Sequence, residues 1–159
     1  MKRYLDDRVR HDLRQKMVLL TGPRQVGKTT LSQQLLVELP GAQYLNFDVA
    51  AHRAVMLAQS WKHSAPLLVF DEIHKMRGWK SWLKGVFDGR TPGQQILVTG
   101  SARMDTFQQT GESLAGRFFR LRLHPLSVRE WCDATPTSPQ AALTHLLERG
   151  GFPEPTLAA

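Results

Sequence analysis

The run Gly22-Pro23-Arg24-Gln25-Val26-Gly27-Lys28-Thr29 constrains this chain more than any other stretch. It satisfies G-x-x-x-x-G-K-[ST] in full. It also stands between a short apolar run, Met17-Val18-Leu19-Leu20, and a helix-like segment from Thr30 to Leu39 that Pro40-Gly41 stops. In a strand–loop–helix unit of this kind the glycines let the backbone wrap closely around a polyphosphate. Successive N–H groups and the helix amino terminus then point at it. Lys28 supplies a point charge for β- and γ-phosphates, the Thr29 hydroxyl suits Mg²⁺, and Thr30 is placed to reach an α-phosphate. The candidate phosphate-binding set is therefore Gly22, Pro23, Arg24, Gln25, Val26, Gly27, Lys28, Thr29 and Thr30.

The rest of the chain repeats the alternation. Tyr44 to Phe47, Leu67 to Phe70, Ile96 to Val98 and Phe118 to Leu123 read as strands. Residues 49–58, 127–133 and 139–149 read as helices, and the residues before Met17 as a helix packed on the outside. Trp79, Trp82, Leu83, Val86 and Phe87 recur at the spacing of an amphipathic helix, which makes the two tryptophans a core face rather than a base-stacking platform. Strands alternating with helices mean a parallel sheet covered on both faces, an α/β fold.

The strand Leu67-Leu68-Val69-Phe70 ends in Asp71-Glu72. Ligands of open parallel sheets gather at the carboxyl ends of the strands, so this pair converges on the phosphate loop. There Asp71 is placed to hold Mg²⁺, directly or through water, and Glu72 to orient and activate an attacking water. A kinase has no use for such a glutamate, whereas an NTP hydrolase does. Neither Asp-x-x-Gly nor Asn-Lys-x-Asp, the signatures of GTPases, accompanies the loop, which favours ATP.

Composition sets outer bounds. With 159 residues the chain suits one domain. One cysteine, Cys132, excludes an internal disulfide framework and fits a reducing, cytoplasmic setting. No apolar run reaches a membrane span, and the six histidines lack metal-type spacing, so neither a membrane nor a zinc site is expected. The charge is +7, from 21 Lys+Arg against 14 Asp+Glu. The excess is concentrated in residues 1–30, where Lys2, Arg3, Arg8, Arg10, Arg14 and Lys16 precede the loop. Asp6, Asp7 and Asp12 interrupt this segment, which reads as a charged helix face, with nucleic acid a further possible partner.

The motifs together resemble those of AAA+ P-loop ATPases. They are closest to a prokaryotic group that carries G-P-R-x-V-G-K-T, Asp-Glu-Ile-x-Lys, T-G-S, S-L-A-G-R, P-L-S and G-G-F-P-E. This chain has Asp71-Glu72-Ile73-His74-Lys75, Thr99-Gly100-Ser101, Ser113-Leu114-Ala115-Gly116-Arg117, Pro125-Leu126-Ser127 and Gly150-Gly151-Phe152-Pro153-Glu154 at the matching places. The resemblance implies a P-loop NTPase fold of the AAA+ type, a five-stranded parallel sheet of order 5-1-4-3-2. It also implies Ser101 as the residue sensing the γ-phosphate, with Thr99 as substitute. Arg117 becomes an arginine finger, typically donated from a neighbouring subunit of a homo-oligomer. Arg24 and Arg103 read as structural.

The implied organisation is an ATPase core with its N-terminal helix over residues 1–133. Residues 134–159 then form a truncated helical lid or linker remnant that lacks a second sensor arginine. The function expected is Mg²⁺-dependent ATP hydrolysis coupled to conformational change, carried by Lys28, Glu72, Ser101 and Arg117 with Thr29 and Asp71 on the metal. The alternative is a nucleotide-gated nucleic-acid-binding module with little turnover of its own.

Overall fold

The computed structural model describes residues 1–101 and 114–158. Helix α1 (Asp6–Leu13) precedes β1 (Met17–Thr21), and the phosphate loop joins β1 to α2 (Lys28–Glu38). Then follow β2 (Gln43–Asn46), α3 (Ala50–Ala58), β3 (Leu67–Asp71), a 3-10 turn at Ile73–Lys75, α4 (Trp79–Asp88) and β4 (Gln95–Thr99). Strand β5 (Phe118–Arg122) and helices α5 (Val128–Ala134), α6 (Pro139–Arg149) and α7 (Pro153–Leu157) complete the described chain.

All five strands run parallel in the order β2-β3-β4-β1-β5, the expected order read from its other edge. Side chains of successive strand residues point to opposite faces, and that alternation splits the core in two. Met17, Leu19, Leu68 and Phe70 face one side, where Met56 of α3 and Leu83 and Val86 of α4 cover them. Val18, Leu20, Leu67 and Val69 face the other, against Val9 and Leu13 of α1 and Leu31 and Leu35 of α2. Covered on both faces, β1 and β3 are buried along their whole length, which is why they read as unbroken apolar runs. Edge strand β5 is only partly covered and keeps its alternation of apolar and basic residues.

The expected amphipathic helix is α4: Trp79 is buried, and Trp82 meets Phe70 edge-on at 5.2 Å between ring centroids. Trp61 completes that aromatic cluster, 5.4 Å from Phe70 and 5.8 Å from Trp82. The segment 150–158 contains helix α7, which no periodicity announced because two prolines lie within its five residues. No helix among the described residues is long and apolar enough to cross a membrane.

Candidate active site

Strands β1, β4 and β3 are neighbours, and their registers align Leu20, Thr99 and Asp71 in one row at the carboxyl edge of the sheet. The phosphate loop leaves β1 at this edge, and Glu72 leaves β3 beside it. Both motifs therefore lie on one edge because parallel strands all end there.

The loop itself is held from outside. Gly22 has φ +150°, and a Cβ on it would stand 2.4 Å from the Leu123 carbonyl oxygen. Gly27 has φ +100°, and its Cβ would come 3.0 Å from an Arg3 guanidinium nitrogen. Both glycines thus make room for neighbouring protein as well as for a wrapped backbone. Gln25 also takes a left-handed conformation, φ 61°, uncommon for a residue with a side chain.

Helix α2 starts at Gly27 with no side-chain cap, whereas Ser127 and Ser138 cap α5 and α6. The first N–H groups of α2 are left for a ligand, and with the helix dipole they favour an anion. Lys28 is buried, and its Nζ donates to the carbonyls of Gly22 (2.9 Å) and Pro23 (2.6 Å). Burial lowers its pKa, while the nearby Asp71 and Glu72 charges pull it back up. An ammonium held against its own loop by carbonyls alone is poised to turn to a stronger acceptor.

Asp71 is 6% exposed and both of its carboxylate oxygens accept hydrogen bonds. Oδ1 accepts from the Thr99 hydroxyl (2.6 Å) and from the Glu72 N–H (3.0 Å), and Oδ2 accepts from the Tyr44 phenol (2.5 Å). Burial and this bond to a carboxylate push the Tyr44 pKa up to about 12, so it stays a donor at any physiological pH. Thr99 is thereby committed to Asp71. Ser101 lies two residues past the aligned row and is partly exposed.

Glu72 takes a left-handed conformation, φ 56°, pinned by its N–H, which donates to the Thr99 carbonyl as well as to Asp71. Its carboxylate lies 3.3 Å from Lys75 Nζ and 3.7 Å from His74 Nε2. Lys75 also pairs with Asp48, from the loop after β2, at 2.5 Å. Burial lowers the His74 pKa, so His74 is a neutral neighbour of Glu72 near pH 7.

Arg117 stands elsewhere. Its carbonyl accepts from the N–H of Met17, the first residue of β1, and Phe118 pairs with Met17 in register. It therefore lies at the amino edge of the sheet, four strand steps or about 13 Å along β1 from the start of the loop. Its guanidinium is bidentate to Asp88 at 2.8 and 3.1 Å. A finger acting on the phosphates of its own chain does not fit this placement. Arg103 and Ser113 lie outside the described residues.

Two contributors escaped the sequence reading. Arg3, read there as part of a charged face, is 7% exposed. Its Nε donates to Glu130 Oε1 (2.8 Å), and its two terminal nitrogens donate to the carbonyls of Val26 in the loop and His124 (2.6 Å each). The one signal for this in the chain is Ser127-x-x-Glu130, a capping box that the structure closes. The second is a mainly apolar groove beside the first turn of α2, lined by Gly27, Thr30, Leu31, Leu126, Pro153 and Leu157 among others. Helix α7 forms part of its wall.

A wrapped phosphate loop, an uncapped helix start and an Asp-Glu pair on one edge of a 2-3-4-1-5 sheet define a P-loop ATPase core of the AAA+ class. Residues 14–132 match the model of the AAA domain family, and the chain belongs to that family. It is 32% identical over 141 residues to uncharacterised proteins of Mycobacterium bovis and Mycobacterium tuberculosis. The match covers 88% of this chain and 30% of each relative, so the chain spans under a third of their length. An uncharacterised protein of Haemophilus influenzae is 25% identical over 162 residues, with 88% of this chain and 40% of that protein covered.

Among solved structures, the RuvB Holliday junction branch migration motor of Thermotoga maritima superposes with a TM-score of 0.61 at 21% identity. It covers 96% of this chain and 58% of that one. The Walker-type ATPase of Pyrococcus abyssi gives 0.62 at 17% identity over 98% and 64%. The Hsp104–ADP complex of Saccharomyces cerevisiae gives 0.65 at 16% over 99% and 30%. At these identities the likeness is one of fold.

Proposed function

We propose that this chain binds ATP with Mg²⁺ at the carboxyl edge of its sheet and hydrolyses it, using binding and release to move its C-terminal helices. The observation that carries this reading is the convergence of Lys28 with Asp71 and Glu72. Lys28 opens the helix that follows β1 and the two acids stand at the end of β3, yet both acids act electrostatically on the buried ammonium. The uncapped α2 start and Lys28 bind the β- and γ-phosphates. The remaining loop residues, Gly22 to Gly27, wrap them, and Thr30 faces the α-phosphate.

The donor set fits a hard divalent cation. The Thr29 hydroxyl is exposed and makes no hydrogen bond among the described residues, and Asp71 offers a buried carboxylate. Bound Mg²⁺ would neutralise charge on the phosphate oxygens. Glu72, held in a strained backbone conformation, is the group that orients a water and accepts its proton. Ser101 follows β4, the strand between loop and acid pair, by two residues and is assigned contact with the γ-phosphate.

The groove beside Thr30 takes the nucleobase. Because Leu126, Pro153 and Leu157 line it, nucleotide occupancy reaches α7 directly, and residues 134–158 act as a short lid rather than as a linker. Arg117, excluded from its own site by placement, serves as a finger for a second copy of the chain.

The deciding experiment is Glu72→Gln. Nucleotide binding should persist while phosphate release falls to background. If wild-type turnover is itself at background, or if the variant hydrolyses ATP normally, the enzymatic reading fails. For the finger, Arg117→Ala mixed with Lys28→Ala should regain activity that neither has alone, since hybrid interfaces restore one complete site. No recovery on mixing removes that role.

A further inference from the structure

The basic N-terminal segment resolves, in three dimensions, into paired and unpaired cations. Lys2 pairs with Asp7, Arg3 with Glu130, Arg8 with Asp12 and Arg10 with Glu38. Arg14 and Lys16 find no carboxylate among the described residues. Both lie in the turn between α1 and β1, at the amino edge of the sheet and thus opposite the nucleotide site.

Arg90, from the loop between α4 and β4, joins them around one small, predominantly polar depression that Gln15 and Gln94 also line. Its guanidinium is fixed over the Phe87 ring, 3.6 Å from the centroid, and donates to the Phe87 carbonyl. Lys16 lies over Phe119, its ammonium 5.2 Å from that ring. Aromatic faces hold both cations without cancelling their charge, so the heads are positioned for an anion from solvent.

The surroundings keep the same sign. Asp88 of α4 is bonded by Arg117, and Lys84 and Arg90 also act on it; together these three hold its pKa below the usual carboxylate value, while the Asp12 carboxylate is paired with Arg8. Arg117 is joined to β1 through the Met17 N–H, which connects the two halves of the patch. Arg14, Lys16, Lys84, Arg90 and Arg117 therefore gather along the amino edge of β4, β1 and β5.

We propose that this edge binds the phosphate backbone of a polynucleotide, with Arg14, Lys16 and Arg90 seating one phosphate in the depression. A run of cations extending beyond a site large enough for only one phosphate group suits a repeating polyanion better than an isolated phosphate. The carboxyl ends of these strands carry the candidate nucleotide site and their amino ends this patch, which places the two sites a strand's length apart.

The test is equilibrium binding of a fluorescein-labelled, random-sequence DNA duplex to the full chain across a salt series. The wild type should bind with a negative log–log salt slope. The Arg14→Glu/Lys16→Glu variant should lose about tenfold or more in affinity and lower the slope by about one, since the one phosphate seated there contributes roughly 0.9 to it. Arg90→Gln, which touches the same phosphate, should weaken binding in the same direction and lower the slope by at most about one. A charge-matched control, Lys62→Glu/Arg77→Glu, should change affinity much less.

Absence of wild-type binding overturns the proposal. So does an equal loss in patch and control variants, or a slope the patch variants leave unchanged. Inorganic phosphate that binds this patch when the duplex does not would reassign it to a small anion and equally overturn the polynucleotide. Binding of a fluorescent ADP analogue to every variant reports the nucleotide site separately, so failure here leaves the ATPase reading standing, and the reverse.

Discussion

Arg3 and Glu130, 127 positions apart in the chain, form a buried ion pair whose guanidinium also carries the Val26 carbonyl of the phosphate loop. The carboxylate is shared further: Oε1 also accepts from the Tyr4 N–H, and Oε2 from the N–H and hydroxyl of Ser127. The amino terminus, the phosphate loop and the start of α5 are thus tied at one point.

Removing either partner leaves an uncompensated buried charge, which typically costs about 3–5 kcal/mol. Arg3→Ala and Glu130→Ala should each show that loss in denaturant unfolding, with weaker nucleotide binding because Val26 loses its anchor. Arg3→Lys should rescue little, since one ammonium cannot span three acceptors in a planar fork. Burial alone would raise the Glu130 pKa, but hydrogen bonds from Ser127, Tyr4 and Arg3 more than offset it and hold the value below 4.5. The stabilisation is therefore present above the unfolded-state value and is lost as pH falls through the folded one. Glu130→Gln should unfold with less acid dependence than the wild type.

Lys75 stands between Asp48 and Glu72 and so keeps an ammonium on the carboxylate assigned to activate water. The pair is partly exposed, and such pairs are worth about 1 kcal/mol or less, a rate factor of at most about five. Lys75→Ala should raise turnover within that limit while nucleotide affinity is unchanged, as single-turnover and binding measurements would separate. A fall in turnover would mean that Lys75 holds Glu72 in its working orientation instead.

The architecture was legible where one residue's surroundings decide its role. Apolar runs such as Leu67–Phe70 are covered on both faces, so their composition alone reports a central parallel strand. The loop motif likewise carries its own geometry. Partnerships across the fold were not legible. Nothing about Arg3 distinguishes it from Arg8 or Arg10 in the sequence, yet only Arg3 is buried, because its acceptors come from residues 26, 124 and 130. Tyr44 read as an ordinary strand residue for the same reason: its contact with Asp71 depends on β2 lying beside β3. Arg117 directly precedes the strand read from Phe118, so its place at the amino end of β5 was legible, whereas its bidentate pairing with Asp88 of α4 was not.

Tyr44 offers a spectroscopic check on the Asp71 cluster. The protein has two tyrosines, Tyr4 and Tyr44, and the second has its pKa raised to about 12. A folded pKa above the ordinary 10 means that the protonated phenol stabilises the native state below pH 10. That contribution is lost as pH rises from 10 through about 12. Titration followed by phenolate absorbance should show a late step that Tyr44→Phe removes. The variant should also keep more of its stability across that alkaline window, although it is less stable near neutrality. If the late step survives the substitution, the phenol–carboxylate bond does not exist in solution.

Gly22 gives the sharpest separation between the two reasons for a glycine in this loop. If its role were only to let a polyphosphate approach, Gly22→Ala would impair nucleotide binding and leave stability nearly untouched. The structure dictates otherwise. At φ +150° an alanine is strained, and its Cβ would lie 2.4 Å from the Leu123 carbonyl oxygen, a backbone atom that cannot swing aside. Leu123 is held by its own N–H to the Thr21 carbonyl (2.8 Å), so relief requires β5 to move off β1. Overpacking of this kind costs about 1–3 kcal/mol, and the strained backbone adds of order 1–3 kcal/mol. Gly22→Ala should therefore lower stability without any nucleotide present, with amide exchange accelerating first in residues 118–122. Unchanged exchange in β5 would return this glycine to the phosphate alone.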